Sequence, residues 1–232
     1  RAASLTSLVA RVRWLIVSST PHRDAGTIAY LTECGAECQV VAPDELDGQR
    51  LHDLVTAPGP AWRVLHMAAL DAPREAQLSL DAIDRLEQGI LFSAIRLVQL
   101  FIRQGPSARL WFVTQGAVPA APVEALGPIA IAQAPLWGIG RVVASEHPEL
   151  FGGLVDLGGE AGPDTAERLV LEVLCGSDDN QVVLRDDGRA TARLVPLRAS
   201  ATPQPWRLHR DGAYLVTGGV RGIGLAVAER ML

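Results

Sequence analysis

Lysine is absent from this chain: all 21 basic residues are arginine. The bias accompanies abundant Ala, Gly and Pro and points to a GC-rich coding sequence. Cysteine is scarce, with only Cys34, Cys38 and Cys175, an odd number that suits reduced thiols in a cytoplasm. Cys34 and Cys38 have no histidine close by and read as small buried apolar residues, not as a metal pair. The five histidines (His22, His52, His66, His147, His209) are scattered without ligand spacing, so no metal site is expected. No apolar run approaches the roughly 18 residues of a membrane helix. A net charge of −5 argues against a nucleic-acid partner, whose phosphates attract a basic face.

What is present is ordinary globular material. Hydrophobic residues make up 48% and charged residues 20% of 232, enough for one large domain or two smaller ones. Short apolar runs at 12–18, 38–42, 62–67, 109–114 and 153–157 read as buried strands. Helices read between them: one capped by Asp24 and stopped by Gly35, and one opened by Pro43 and running towards Val55. A long one covers 81–104, another runs from Pro135 to about Glu146, and a last one, capped by Asp164, reaches Leu174. In the long one, Ile83, Leu86, Ile90, Ala94, Leu97 and Phe101 form a stripe. Leu91, Phe92, Ile95, Val98 and Ile102 widen it, which predicts burial on more than one side. Runs at 181–185 and 192–197 flank a turn at 186–189 and read as a hairpin. The lead-in at 1–11 has no clear assignment.

This alternation predicts a doubly wound, Rossmann-like α/β fold with a mostly parallel sheet covered on both faces. A polar stretch at 198–204 with Pro203 marks the boundary: residues 1–205 form one domain and 206–232 begin a second. The second opens with a strand at 213–217, a glycine turn, and a helix start at Leu225. The turn is Thr217, Gly218, Gly219, Val220, Arg221, Gly222, Ile223 and Gly224. In a dinucleotide-binding fold such glycines let the backbone approach a pyrophosphate, which the following helix N-terminus faces. The sequence stops eight residues after Gly224, so excision from a longer polypeptide is expected.

Two other glycine segments do not qualify. Gly138 and Gly140 follow Pro135 rather than a strand, and read as packing positions of a helix. The segment 17–26, where a cradle would follow the first strand, holds only Gly26, and Pro21 removes a donor.

The segments 133–150 (QAPLWGIGRVVASEHPEL), 152–157 (GGLVDL) and 214–219 (YLVTGG) resemble the ketoreductase region of a modular type I polyketide synthase. The resemblance covers nearly the whole chain. It implies two short-chain-dehydrogenase-like halves. The first is a structural subdomain without a cofactor turn, here up to about Pro205. The second, from Trp206, binds NADPH and reduces a β-ketoacyl group held on an acyl carrier protein. The implied partners are the catalytic half, neighbouring synthase domains and the carrier protein. The turn departs from many family members in having Val220, Arg221 and Ile223 where further Gly and Leu are common. Arg221 is either near a cofactor phosphate or a solvated surface arginine.

The resemblance also implies a catalytic tyrosine whose pKa a lysine lowers, and a substrate-holding serine. Unperturbed tyrosine, near pKa 10, is a sluggish acid–base group at neutral pH. This chain has only Tyr30 and Tyr214, with Tyr214 expected in the core, and no lysine. His147 beside Glu146 reads as a helix-end residue. No catalytic residue is therefore assigned, and the chain alone is expected to be inactive and to bind NADPH poorly. The alternative reading is a non-catalytic scaffolding module of a multidomain synthase.

Overall fold

The computed structural model describes residues 2–19, 21–72, 78–105, 107–119, 129–158, 163–175, 178–194, 196 and 207–231. Contacts divide the chain into two units, Arg1–Ala192 and Arg193–Leu232. The boundary expected near residue 205 lies outside the described residues.

The first unit is a single seven-stranded sheet. Its strands are β1 (Arg13–Val17), β2 (Cys38–Val41), β3 (Trp62–His66), β4 (Ala108–Gln115), β5 (Phe151–Leu157), β6 (Gln181–Arg185) and β7 (Gly188–Thr191). They lie in the order β2-β1-β3-β4-β5-β6-β7, all parallel except for the β6–β7 pair. The helices are α1 (Ala2–Val9), α2 (Pro21–Glu33), α3 (Gln49–Thr56), α4 (Leu80–Glu87), α5 (Ser93–Gln104), α6 (Pro135–Glu146) and α7 (Pro163–Cys175).

Because side chains alternate along a strand, β1, β3, β4 and β5 each feed two cores. Leu15, Val64, Leu110, Phe112 and Leu154 meet α3, α5 and α6 on one face. Trp14, Ile16, Leu65, Trp111, Val113 and Val155 meet α1, α2 and α7 on the other. Both faces are covered, which is why these strands read as continuous apolar runs rather than as alternating ones. The β3–β4 and β4–β5 crossovers pass over the α5/α6 face, whereas β5–β6 runs through α7 on the opposite face. That connection has the opposite hand to the two before it, a rare arrangement for a parallel crossover.

Several local expectations change. Residues 2–9 of the lead-in form a helix. Asp24 and Asp164 sit inside the first turns of α2 and α7, because Pro21 and Pro163 open those helices earlier. The helix expected from Pro43 breaks into a short 3₁₀ turn (Pro43–Glu45) and α3, with Gly48 as its N-cap. The 81–104 segment is one rod with a π-helical turn at Gln88–Phe92 between α4 and α5, capped by Ser79 and ended by Gly105 in the left-handed region. That rod is buried on one side only. Phe92, Ile95 and Ile102 are exposed, with no described residue of the first unit burying them. The hairpin turn is two residues shorter than expected: Asp186 and Asp187 make it, and the second strand is Gly188–Thr191 rather than 192–197.

Among the described residues the second unit contains one helix, α8 (Gly222–Met231), with none of its residues buried. The strand expected over 213–217 does not form. Its backbone has no ladder partner, and Tyr214 and Leu215 are exposed. A strand needs a neighbour to satisfy its donors and acceptors, and this unit supplies none among the described residues.

Candidate functional site

The glycine turn in the second unit has a geometry that its sequence dictates. Gly218 and Gly222 adopt φ of +70° and +60°, a region costing other residues about 1–2 kcal/mol. A Cβ on Gly224 would strike the Gly218 carbonyl oxygen and lie 2.6 Å from its carbonyl carbon. All three glycines are thus needed by the turn itself. Gly219 N–H donates to the Val216 carbonyl at 3.3 Å. Val220 and Ile223 extend into solvent, and Thr217 and Arg221 are exposed. The first turn of α8 carries no acidic residue, so its free N–H groups and positive end remain available to an anion. Tight turn, absent Cβ atoms and unengaged donors together fit a pyrophosphate cradle. Tyr214 stands outside any core, its hydroxyl accepting from the His209 N–H at 2.7 Å.

In the first unit, an open α/β sheet would hold a ligand beyond the carboxyl ends of its strands, where the order reverses between β1 and β3. Gly26 lies within α2, so it adds nothing to the β1–α2 connection. What occupies the carboxyl ends instead is a set of buried polar side chains that sequence reading had not singled out as a group. Asp156, fully buried near the end of β5, accepts at Oδ1 from Thr114 Oγ1 at 2.6 Å and from the Ala117 N–H at 2.8 Å. Thr114 Oγ1 in turn accepts from the Trp137 indole N–H on α6 at 2.9 Å. Arg185 closes the set, donating to Asp156 Oδ2 at 2.6 Å and to the Val118 carbonyl at 3.0 Å. Gln133 Oε1 accepts from the Gln115 N–H at 2.8 Å. The signal in the sequence was the acid of 152–157, a lone carboxylate inside an apolar strand.

A second buried pair lies at the end of β3. Ser93 Oγ is within hydrogen-bond distance of two carbonyls of the preceding turn, Gly89 at 2.6 Å and Ile90 at 2.9 Å. It also lies 2.8 Å from His66 Nε2, the donor there being set by the imidazole tautomer. The imidazole is fully enclosed, and burial pushes its pKa down to about 4. It is a neutral structural group.

The remaining candidates are inert. Burial, then the Glu167 carboxylate and Cys34, raise the Tyr30 pKa to about 12, the opposite of what an acid–base tyrosine needs. His147 caps α6, its N–H donating to the Val143 carbonyl at 2.8 Å, with Nδ1 3.3 Å from Glu149. Cys34 and Cys38 are half-buried rather than buried, because they lie at the margin of the α2/α7 core, and Cys175 is exposed. Burial raises the Cys38 thiol to about 11. Among the described residues no cluster could hold a metal ion, and no helix is long and apolar enough to cross a membrane.

Residues 12–194 match a family described as the Rossmann-fold domain of the polyketide synthase extender module SpnB. The pikromycin polyketide synthase component PikAII of Streptomyces venezuelae is 33% identical over 235 residues, a match covering 94% of this chain and 6% of that protein. The chain therefore spans a small part of the length of such relatives. A C2-type ketoreductase from a modular polyketide synthase superposes with a TM-score of 0.65 at 31% identity, covering 84% of this chain and 42% of that one. A short-chain dehydrogenase of Burkholderia cenocepacia, solved with NADP, shares the fold at a TM-score of 0.55 and 14% identity, over 75% of this chain and 88% of that one.

Proposed function

Because this chain belongs to the Rossmann-fold domain family of polyketide synthase extender modules, within a ketoreductase region, we propose that its first unit is the structural half of a β-ketoacyl reductase. On this reading the second unit is the beginning of the half that binds NADPH. The reading rests on one contrast. At the carboxyl ends of the first sheet, Asp156, Thr114, Trp137 and Arg185 are one another's partners. The glycine turn at 217–224, by comparison, is largely exposed and leads into a helix whose first turn carries no acidic residue.

Thr217, Gly218, Gly219, Val220, Arg221, Gly222, Ile223 and Gly224 would hold the cofactor diphosphate through backbone donors and close approach. NADPH supplies the hydride. Of this chain's own groups, the α8 N-terminus binds negative charge and the three glycines exclude side chains from the space it fills. No residue of this chain is assigned to move a proton to a carbonyl, since lysine is absent and Tyr30 has its pKa raised by burial, Glu167 and Cys34. The substrate, a β-ketoacyl group on an acyl carrier protein, and the catalytic tyrosine belong to the remainder of the region. Apolar side chains left uncovered on both units, among them Phe92, Ile95, Leu215 and Val227, agree with pieces of a larger assembly.

NADPH oxidation with a β-ketoacyl thioester tests this. The chain alone should give no turnover, while the same chain continued through the rest of the ketoreductase in its gene should. Turnover by the 232 residues alone overturns the reading.

A further inference from the structure

The opposite, amino-terminal end of the sheet carries a different arrangement. Arg63 on β3 and Arg109 on β4 are register partners, so their side chains project side by side from the face that holds Trp111. The Arg63 guanidinium lies over the Trp111 ring at 5.7 Å from its centroid. Its Nε is buried without a hydrogen-bond partner among the described residues. Arg109 makes one bond, from NH1 to the Phe151 carbonyl at 3.1 Å.

The β4–β5 ladder shifts register here, leaving Gly152 as the extra residue between Phe151 and Gly153. A Cβ at Gly152 would come within 2.5 Å of the Trp111 ring, and one at Gly153 within 3.1 Å. The glycine pair therefore lets the indole lie flat on β5, which holds it beneath Arg63. Above it opens a cleft of about 260 Å³ lined by both arginines, Trp111 and Asn180.

Two carboxylates also line this cleft, and both are engaged elsewhere. Glu172 takes a two-pronged bond from Arg189 at 2.7 and 2.9 Å, and Asp179 lies 3.6 Å from the same guanidinium. Neither Arg63 nor Arg109 is ion-paired among the described residues. Two adjacent cations, one desolvated and stacked, repel each other unless a dianion sits between them; burial and Arg109 already lower the Arg63 pKa.

The geometry points to a binding site for a phosphate monoester dianion in this cleft, gripped by the guanidinium forks of Arg63 and Arg109 over Trp111. Guanidinium suits phosphate through paired N–H donors, and two unpaired cations match a charge of about −2. At about 30 Å³ per water, the cleft has room for the phosphate and part of its ester group. This site is separate from the glycine turn and stands or falls independently of the reductase reading.

Calorimetric titration of the 232-residue chain with glycerol 3-phosphate and with inorganic phosphate, against chloride at matched ionic strength, is the test. Saturable binding of both phosphates is expected, weakened about tenfold or more in Arg63→Gln and Arg109→Gln. Arg109 is exposed, so its variant keeps the core intact and leaves the test readable if Arg63→Gln misfolds. Arg63→Lys, which keeps charge but loses the fork, should fall between. No phosphate binding by the parent chain, or binding that Arg109→Gln leaves unchanged, overturns the proposal.

Discussion

Arg185 NH2 stands 2.6 Å from Oδ2 of Asp156, and the carboxylate it meets is fully buried. The same guanidinium spans to the Asp156 and Val118 carbonyls, so one side chain ties β6, β5 and the loop after β4 together. Taking away one partner of such a pair strands a charge in a dry interior. Arg185→Ala should therefore cost about 3–5 kcal/mol in urea unfolding of the chain. Arg96→Ala, which breaks an exposed pair with Asp47, should cost below about 1 kcal/mol. Equal losses in the two variants would remove the special role given to Asp156.

Acid should weaken the fold through His66. Its pKa in the folded chain is about 4 against 6.5 when unfolded, so above pH 6.5 both states are neutral and the group has no effect. Between pH 6.5 and about 4 the unfolded chain binds a proton that the folded chain refuses, and stability falls with falling pH. The full loss is about 3 kcal/mol, reached near pH 4. Denaturant midpoints at several pH values should show a shallower acid slope for His66→Gln than for the parent, whatever the variant's absolute stability.

Gly140 and Gly138 lie on the same helix and should respond in opposite directions. A Cβ on Gly140 would come within 2.6 Å of the Leu154 side chain, whereas one on Gly138 meets nothing within 4 Å. Gly140→Ala should destabilise by about 1–3 kcal/mol through overpacking. Gly138→Ala should stabilise by about 0.5–1 kcal/mol through helix propensity. Thermal or urea denaturation of the two single variants decides it.

In a complete ketoreductase carrying this chain, Gly224→Ala and Gly222→Ala should raise the KM for NADPH at least about tenfold, equivalent to ~1.4 kcal/mol. The first pushes a methyl into the Gly218 carbonyl, and the second strains a left-handed residue. Arg103→Ala, an exposed change on α5 outside the turn, should leave that KM unchanged. An unaltered KM in both glycine variants would separate the turn from the cofactor.

The main strands of the first unit and its doubly wound class were legible because a strand buried on both faces shows as an unbroken apolar run, and because Pro135, Gly35 and Gly105 mark helix ends through their own backbone limits. The glycines of 217–224 were legible for the same reason: φ above zero and a missing Cβ are properties of single residues. The polar set around Asp156 was not. Thr114, Trp137 and Arg185 come from three different elements, and only the sheet register brings them onto one carboxylate. The same holds for Arg63 and Arg109, 46 residues apart in sequence and adjacent across the β3–β4 ladder. The 213–217 run shows the converse: its apolar residues favour a strand, yet a strand exists only where a neighbour completes its hydrogen bonds. Local chemistry thus decided which segments turn, cap and bury. Which polar groups satisfy one another, and which stay free for a ligand, was decided by tertiary contacts between residues far apart in the chain.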